Sequence, residues 1–298
     1  KLNKENKKLV LRYLADDLKI PKEFAWRRKK AAQYGSKFDR AIEKLAKKQG
    51  LKFKADYLNS FSKEHNLNLG IMLSSGKDSC YAAYLMKKHN YNLTCALTIE
   101  SKEKYSFMFH TPNISLASLQ AEAMGIPILI QKTEGKKEDE LKDLKKLLQV
   151  AKQKYNIDGI ITGALFSSYQ RDRFEKVADK LGLKVFSPLW HKDQEEEMRE
   201  LVDEGFKVIF SSVAAEGLNE GWVGKIITHK DIDKLSELNQ KIGLNIAGEG
   251  GEFESLVLDC PLFNKEIKPT KSRILKESET NAFFVIENAK LVDKTKKP

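Results

Sequence analysis

The sequence predicts an α/β protein: a parallel sheet with helices on both faces, a smaller C-terminal α+β domain and a basic helical N-terminal extension. From about Leu69, short apolar, β-branched runs alternate with amphipathic stretches of helical period. Gly125 and Gly182 each stand between such a stretch and the next apolar run, where helices commonly end. The net charge is concentrated at the start of the chain, which indicates a separate module there.

Strands and helices are predicted in alternation through the first part of this pattern. The strands are expected at Leu69–Leu73, Leu93–Ile99, Pro127–Gln131, Gly159–Thr162 and Lys184–Phe186, and the helices at Ser79–His89, Ile114–Met124, Glu138–Tyr155 and Ser168–Leu181. Because helices separate consecutive strands, the strands run parallel and the helices cover both faces of the sheet.

The pattern changes after Trp190. Helices are predicted at Gln194–Glu204 and Asp231–Ile242, and strands at Lys207–Ser211, Ser255–Leu258, Phe283–Ile286 and Ala289–Val292. A glycine-rich acidic segment, residues 247–254, precedes the strand at Ser255. The predicted domains are residues 1–66, with two or three basic helices and a loop around Gln33-Tyr34-Gly35, residues 67–189 with the parallel sheet, and residues 190–298 with the α+β domain.

Composition excludes several classes of protein. Hydrophobic residues make up 41% of the chain, enough to build a core, but no run approaches the ~20 consecutive apolar residues of a membrane span. The cysteines, Cys80, Cys95 and Cys260, form no paired framework, which fits a reducing cytoplasm and argues against a zinc site. We therefore expect a cytoplasmic protein with no membrane partner.

The charge of the extension predicts a partner of its own. Residues 1–66 carry 19 Lys and Arg against 8 Asp and Glu, whereas the rest of the chain carries 34 of each sign. Since phosphate contacts supply most non-specific affinity for nucleic acids, this surplus favours a large anionic partner such as RNA or the ribosome. The alternative is a soluble basic helical cap.

A candidate phosphate loop, Ser74-Ser75-Gly76-Lys77-Asp78-Ser79, follows the first predicted strand of the sheet and opens the next helix. In that position successive backbone N–H groups and a helix N-terminus converge on an anion. Gly76 permits either a positive φ or a close approach of phosphate. The plain alternative is a turn in which Asp78 caps the helix. The strand before and the helix after the loop favour phosphate binding.

The side chains of this loop suit a nucleotide. The hydroxyls of Ser74 and Ser79 and the charge of Lys77 are donors to phosphate oxygens. Asp78 is a candidate ligand for Mg²⁺, which prefers oxygen ligands. The loop is not the Walker pattern, and the dinucleotide fingerprint G-x-G-x-x-G is absent as well.

The loop resembles S-G-G-K-D-S, the signature of the ATP pyrophosphatases known as PP-loop enzymes. Two further segments, residues 163–190 (with Gly-Ala-Leu-Phe-Ser-Ser-Tyr-Gln-Arg-Asp-Arg-Phe-Glu at its start and Pro-Leu-Trp at its end) and residues 245–259 (with Glu-Gly-Gly-Glu-Phe-Glu), resemble the diphthine–ammonia ligase family. The resemblance runs from about residue 69 to about residue 265. Ser75 differs from the usual glycine of the loop, and Ser168 stands where the family pattern leads us to expect an acid.

This resemblance implies an adenine-nucleotide α-hydrolase-like, Rossmann-like sheet that binds ATP in residues 67–189, and a substrate-binding domain in residues 190–298. It also implies a ligase that forms a C–N bond. ATP and Mg²⁺ would adenylate the carboxylate of diphthine on elongation factor 2, with release of pyrophosphate. Ammonia would then displace AMP to leave diphthamide.

The same resemblance implies the roles of particular residues. The catalytic residues are Lys77, Asp78, Glu252 and Glu254, and Asp78 is the metal ligand. ATP is bound by Ser74, Ser75, Gly76, Lys77, Asp78, Ser79, Thr98 and Gly163. The substrate is bound by Tyr169, Gln170, Arg173, Trp190, Glu249, Gly250, Gly251, Glu252 and Glu254.

Alternatives remain open for several of these side chains. Glu249, Glu252 and Glu254 are expected to face the trimethylammonium group of diphthine, to bind metal or to guide ammonia; otherwise they form a solvated acidic loop. Tyr169, Trp190 and Phe253 are candidates for an aromatic surface that contacts the trimethylammonium group. Cys80 is either a reactive thiol at a helix N-terminus or, more simply, a buried small residue.

A second resemblance concerns the extension: residues 21–36 are similar to the C-terminal tail of archaeal-type asparagine synthetases. Two rival functions also remain. One is a PP-loop enzyme that modifies tRNA, although tRNA thiolation by such enzymes usually needs a pair of catalytic cysteines that is not suitably placed here. The other is a non-catalytic nucleotide-binding adaptor.

Overall fold

The computed structural model describes residues 9–25, 38–58, 67–101, 116–133 and 137–294. The chain divides into two compact units, Lys1–His65 and Asn66–Pro298. The described parts of the first unit are helical, as predicted, with α1 at Leu9–Asp17, α2 at Lys22–Ala25 and α3 at Phe38–Lys48. Residues 54–58 are helical too. The predicted loop at residues 33–35 lies outside the described residues.

The second unit begins with the predicted parallel sheet. Its strands are β1 (Asn68–Met72), β2 (Asn92–Ser101), β3 (Ile128–Thr133), β4 (Gly159–Ile161) and β5 (Lys184–Phe186), in the order β3-β2-β1-β4-β5. The helices between them are α4 (Lys77–Lys88), α5 (Ala117–Met124), α6 (Lys137–Tyr155) and α7 (Ser168–Asp179). Every pairing in this sheet is parallel, which confirms the predicted fold class.

Helices cover both faces of this sheet because side chains alternate along each strand. On β1, Ile71 packs in one core with residues of α4 and α5, whereas Met72 packs in a second core with residues of α6 and α7. On β4, Ile161 and Ile160 divide in the same way. Strands buried on both faces read as continuous apolar runs, which is why they were predictable.

The rest of the second unit contains α8 (Gln194–Asp203), α9 (His229–Ile242) and a second, antiparallel sheet. Its strands are β6 (Lys207–Ala214), β7 (Phe253–Asp259), β8 (Lys265–Lys276) and β9 (Asn281–Asp293), in the order β7-β6-β9-β8. The two strands predicted at 283–286 and 289–292 are one continuous strand, β9, so that division was wrong. No described helix is both long and apolar enough to cross a membrane.

The last forty residues were predicted to form strands, but sequence patterns did not give the limits of β8. Five of its twelve residues are Lys or Arg, and it also contains Pro269. It pairs with β9 along one side only, at the edge of the sheet. Charged residues and proline are typical of edge strands, where they prevent pairing with other chains, and they hide the apolar alternation that marks an interior strand.

The two sheets meet through a fully buried amide on α5. The Nε2 of Gln120 donates to the carbonyl of Ser75, which follows β1, and to the carbonyl of Val257 on β7, both at 2.9 Å. The N–H of Val257 donates to the same Ser75 carbonyl at 3.1 Å. Strand β7 is thereby fixed against the segment that follows β1.

We expect Gln120→Leu to lower the free energy of unfolding by about 2 kcal/mol, because it removes two buried hydrogen bonds worth about 1 kcal/mol each. The matched control is Gln240→Leu, which changes an exposed glutamine of α9 and should stay within about 0.5 kcal/mol of wild type. Urea denaturation followed by circular dichroism measures both. Equal effects of the two substitutions would show that the Gln120 bridge contributes nothing to stability.

Candidate active site

The segment between β1 and α4 lies at the point where the parallel sheet changes direction. β1 pairs with β2 on one side and with β4 on the other, so the carboxyl ends of β1 and β4 border a crevice. Gly163, two residues beyond β4, packs directly on the start of α4. A Cβ at this position would lie 2.7 Å from both the carbonyl carbon of Asp78 and the nitrogen of Ser79, so only glycine fits.

The loop backbone corrects one expectation. Gly76 has φ −78°, so it does not supply the positive φ considered for it. A Cβ there would find only ordinary contacts of 3.5 Å or more, which leaves close approach of a ligand as its remaining explanation. The left-handed conformation belongs instead to the buried residue Ser75, with φ +69°. This conformation explains why glycine is usual at that position.

Two side chains that sequence patterns did not identify hold the loop. Gln120 donates to the carbonyl of Ser75, and the Oγ of Ser255, on β7, accepts from the N–H of Lys77 at 3.1 Å. Ser255 lies 178 residues beyond Lys77 in the sequence, so no local pattern could pair them. The glycine-rich segment therefore leads directly into the strand that contacts the phosphate loop.

The loop hydroxyls form a short chain at the start of α4. The Oγ of Ser74 donates to the Oγ of Ser79 at 3.2 Å, and the Oγ of Ser79 donates to the carbonyl of Gly76 at 3.1 Å. Ser74 is exposed, whereas Ser79 is buried. Both hydroxyls thus lie at the N-terminus of α4, and their role in phosphate binding remains a prediction.

Lys77 is a buried cation among carboxylates, with 1% of its surface exposed. Its Nζ donates to Asp78 and lies 3.6 Å from Oε1 of Glu197. Burial by itself lowers the pKa of Lys77, but the negative charges of Asp78, Glu197 and Glu249 more than offset it and raise the pKa above its ordinary value. Lys77 therefore remains protonated.

Glu197, on α8, was missing from the predicted site. Its side chain is fully buried, and neither carboxylate oxygen has a hydrogen-bond partner within the structure's described ranges. Burial raises its pKa well above the ordinary value, although Lys77 opposes the shift. A signal existed in the sequence: Glu197 shares the buried face of its helix with Met198 and Leu201, where a carboxylate is unexpected.

The acidic segment brings two further carboxylates to Lys77. Burial, followed by the charge of Asp78, raises the pKa of half-buried Glu254 to about 7. The pKa of Glu249 is raised to about 7 by the same causes, although its side chain keeps contact with solvent. Glu249 and Glu254 were predicted to bind the substrate, and Glu254 also to be catalytic. The charges of Lys77 and Asp78 act on both carboxyl groups, and the two roles remain predictions.

Glu252 points back into its own segment. Its Oε1 accepts from the N–H of Asn245 at 3.2 Å and its Oε2 from the N–H of Gly250 at 2.8 Å. A Cβ at residue 250 would lie 2.6 Å from this carboxylate. Glu252 and Gly250 thus determine the conformation of the segment. Gly251 adopts a left-handed φ of +87°. Binding of substrate by these three residues remains a prediction.

The structure argues against one of the three aromatic residues that were expected to contact the substrate cation. Phe253 is buried, and its ring meets that of Phe210 edge-on at 4.9 Å, so the expectation that it contacts a substrate cation was wrong. Trp190 is half-buried and already carries a cation, because the guanidinium of Arg171 lies 4.2 Å from its ring centre. This contact fixes Trp190 beside α7.

The remaining predicted residues are less directly placed. Arg173 is half-buried on α7, while the side chains of Tyr169 and Gln170 lie outside the described part of the chain. Thr98 is buried in β2 and donates to the carbonyl of Leu73 at 2.8 Å, where it supports the start of the loop. A role for these four residues in binding remains a prediction.

Cys80 is fully buried, and burial raises its pKa well above the ordinary thiol value. This agrees with the simpler of its two interpretations, a small core residue, and not with a reactive thiol. Cys95 and Cys260 are buried as well.

Two family models match the chain in order. The diphthamide synthase N-terminal domain matches residues 68–185, and the diphthamide synthase C-terminal domain matches residues 193–292. A solved structure, a predicted tRNA methyltransferase subunit from Methanocaldococcus jannaschii, has a TM-score of 0.34 at 15% identity, covering 65% of this chain and 98% of that one. That likeness is too weak to assign a fold.

Similar curated proteins carry the name diphthine–ammonia ligase. The Mus musculus protein is 33% identical over 231 residues, which cover 71% of this chain and 86% of that protein. The Homo sapiens protein is 32% identical over 228 residues, or 70% of this chain and 85% of that protein. The Schizosaccharomyces pombe protein is 34% identical over 239 residues, which cover 75% of this chain but only 39% of that longer protein. On these matches, the chain belongs to the diphthamide synthase family.

Proposed function

We propose that the protein is a diphthine–ammonia ligase, which uses ATP to amidate the diphthine carboxylate of elongation factor 2 and releases AMP and pyrophosphate. The observation that carries this proposal is the position of Lys77, a buried cation at the N-terminus of α4 and at the crevice between β1 and β4. A helix N-terminus and a fixed lysine together bind phosphate.

Adenylation is needed because a carboxylate anion is a poor electrophile and has no leaving group. In the proposed reaction, the carboxylate oxygen bonds to the α-phosphorus of ATP and the bond to the β-phosphate oxygen breaks. Lys77 and the loop N–H groups stabilise the negative charge that gathers on pyrophosphate. Ammonia then bonds to the acyl carbon, AMP leaves, and one proton is released.

The chain's own residues prepare this site before the substrates bind. The contacts of Ser75 with Gln120 and Val257 fix the loop backbone, so its N–H groups need no reorganisation during the reaction. Gly163 allows β4 to approach α4 closely. The carboxylates of the acidic segment would repel the carboxylate of the substrate. Cations are therefore needed at this site to balance the negative charge.

Asp78 is the residue that we propose to hold Mg²⁺. Its side chain is about one quarter exposed at the N-terminus of α4 and therefore accessible from the crevice. The described residues contain no group of three or more His, Cys, Asp or Glu arranged for a metal ion. Magnesium at nucleotide sites commonly uses one or two carboxylates together with phosphate oxygens, which Asp78 fits. When bound, Mg²⁺ would neutralise part of the phosphate charge.

We further propose that elongation factor 2 is the protein substrate and that the basic first unit contacts an anionic partner such as RNA or the ribosome. The charge surplus of +11 over residues 1–66 supports the proposal of an anionic partner. A cytoplasmic location fits both elongation factor 2 and the ribosome. The tRNA-thiolation alternative is disfavoured, because all three cysteines are buried and free.

Incubation with ATP, Mg²⁺, ammonium and diphthine-bearing elongation factor 2 should yield AMP and pyrophosphate, with Lys77→Met lowering kcat at least roughly a hundredfold. Lys87→Met is the matched control, since Lys87 is an exposed lysine of the same helix. Chromatography of the nucleotides measures the products, and circular dichroism checks that both variants fold. ADP as the product, or AMP formed equally well with unmodified factor, would contradict the proposed function.

The charge on Glu254 should oppose folding. The pKa of its carboxyl is about 7 in the folded protein against an ordinary 4.5, so the folded state binds more protons between these values. The free energy of unfolding therefore falls as pH rises from about 4.5 to about 7. Glu254→Gln should be inactive, yet more stable than wild type at about pH 8, with most of the gain lost at about pH 4.5.

Thermal melts at both pH values measure this difference. Glu279→Gln, which alters an exposed glutamate in the turn between β8 and β9, should match wild type at both. A gain for Glu254→Gln that is larger at low pH would reverse the sign of the predicted effect and disprove it.

A further inference from the structure

We propose that Glu197, beside Lys77 and Asp78, binds the ammonium ion, which releases one proton to become the ammonia that attacks the acyl-adenylate. This inference rests on the proposed function, because it assigns a position to the second substrate of that reaction. Glu197 is the decisive residue, since it comes from α8 and lies outside both the phosphate loop and the acidic segment.

Glu197 forms an ion pair with Lys77 but lacks a hydrogen-bond donor. Its side chain is fully buried, and both carboxylate oxygens are buried without a hydrogen-bond partner among the described residues. A buried acceptor without a donor is destabilising, and more so when the acceptor is charged. The nearest cation, Nζ of Lys77, lies 3.6 Å from Oε1, beyond hydrogen-bond distance.

Lys77 does not form a hydrogen bond with every carboxylate that acts on its charge. Its Nζ donates to Asp78, while Glu197, Glu249 and Glu254 also act on its charge or on that of Asp78. Asp78 and Glu197 thus share one lysine in a part of the molecule where Lys77 and Glu197 are shielded from water. When ATP binds, its phosphates add negative charge and compete for Lys77, so the need for a further cation increases.

The Lys77 side chain indicates which cation fits. Its terminal –NH₃⁺ group already lies between Asp78 and Glu197, so the site accepts a tetrahedral nitrogen that carries one positive charge and several N–H donors. Free ammonium has the same charge and one more N–H donor. It can therefore donate to the oxygens of Glu197 that Lys77 does not reach.

The test is Glu197→Gln, which keeps the shape of the side chain and prevents its ionisation when ammonium binds. Glu196→Gln is the control, because Glu196 is an exposed neighbour on the same helix. We expect Glu197→Gln to raise the KM for ammonium tenfold or more, the effect of losing one charge-assisted hydrogen bond. Exchange of labelled pyrophosphate into ATP, measured with diphthine-bearing factor and no ammonium, should fall by a much smaller factor than the KM for ammonium rises.

Two further measurements distinguish the loss of ammonium binding in Glu197→Gln from a general loss of activity. Hydroxylamine is uncharged at neutral pH, so its use as the nucleophile should be affected much less by Glu197→Gln than the use of ammonium. Ammonium chloride should raise the Tm of the wild-type protein more than sodium chloride at equal ionic strength, and this difference should disappear in Glu197→Gln.

Several results would overturn the inference. An unchanged KM for ammonium would remove Glu197 from the ammonium site. A fall in pyrophosphate exchange as large as the rise in the KM for ammonium would show that Glu197 positions Lys77 instead. Normal exchange in wild type with failure of these ammonium effects would disprove only the ammonium site, whereas absence of exchange in wild type would disprove the proposed function itself.

Discussion

The backbone carbonyl of Ser75 is the point on which the site depends. It accepts hydrogen bonds from Gln120 on α5 and from the N–H of Val257 on β7, and so joins the phosphate loop to both sheets of the second unit. Ser75 adopts a left-handed φ of +69°, which turns this carbonyl into position at a local cost of about 1–2 kcal/mol. The surrounding contacts offset that cost and leave the loop N–H groups fixed before a nucleotide binds.

The same contact explains why a basic residue and several acids meet in one place. Since β7 packs against the loop and contains Glu254, the charge of Lys77 acts on this carboxyl group, and α8 adds Glu197 at 3.6 Å from Nζ of Lys77. The raised pKa values of Glu197 and Glu254 mean that the folded protein disfavours the ionised form of both carboxyl groups. Such an arrangement opposes stability, which is typical of residues retained for binding or catalysis.

The sequence was most informative where local chemistry determines structure. The buried strands of the parallel sheet, the loop at Lys77 and the nearby Glu254 were all predictable, because apolar runs, a strand–loop–helix order and a glycine-rich acidic motif are local signals. Contacts between distant parts of the chain were not: Gln120 and Ser255 bind the loop across 45 and 178 residues. The charged edge strand β8 and the burial of Phe253 against Phe210 likewise depend on tertiary neighbours.

The central claim is that the substrate carboxylate attacks the α-phosphorus of ATP. The most direct measurement labels that carboxylate of the elongation factor with ¹⁸O and determines the mass of the nucleotide released in the presence of ammonium. Adenylation predicts that one labelled oxygen passes from the carboxylate to AMP, because the bond between carbon and this oxygen breaks when ammonia displaces AMP. Unlabelled AMP, or label found in inorganic phosphate with ADP as the nucleotide, would contradict the account.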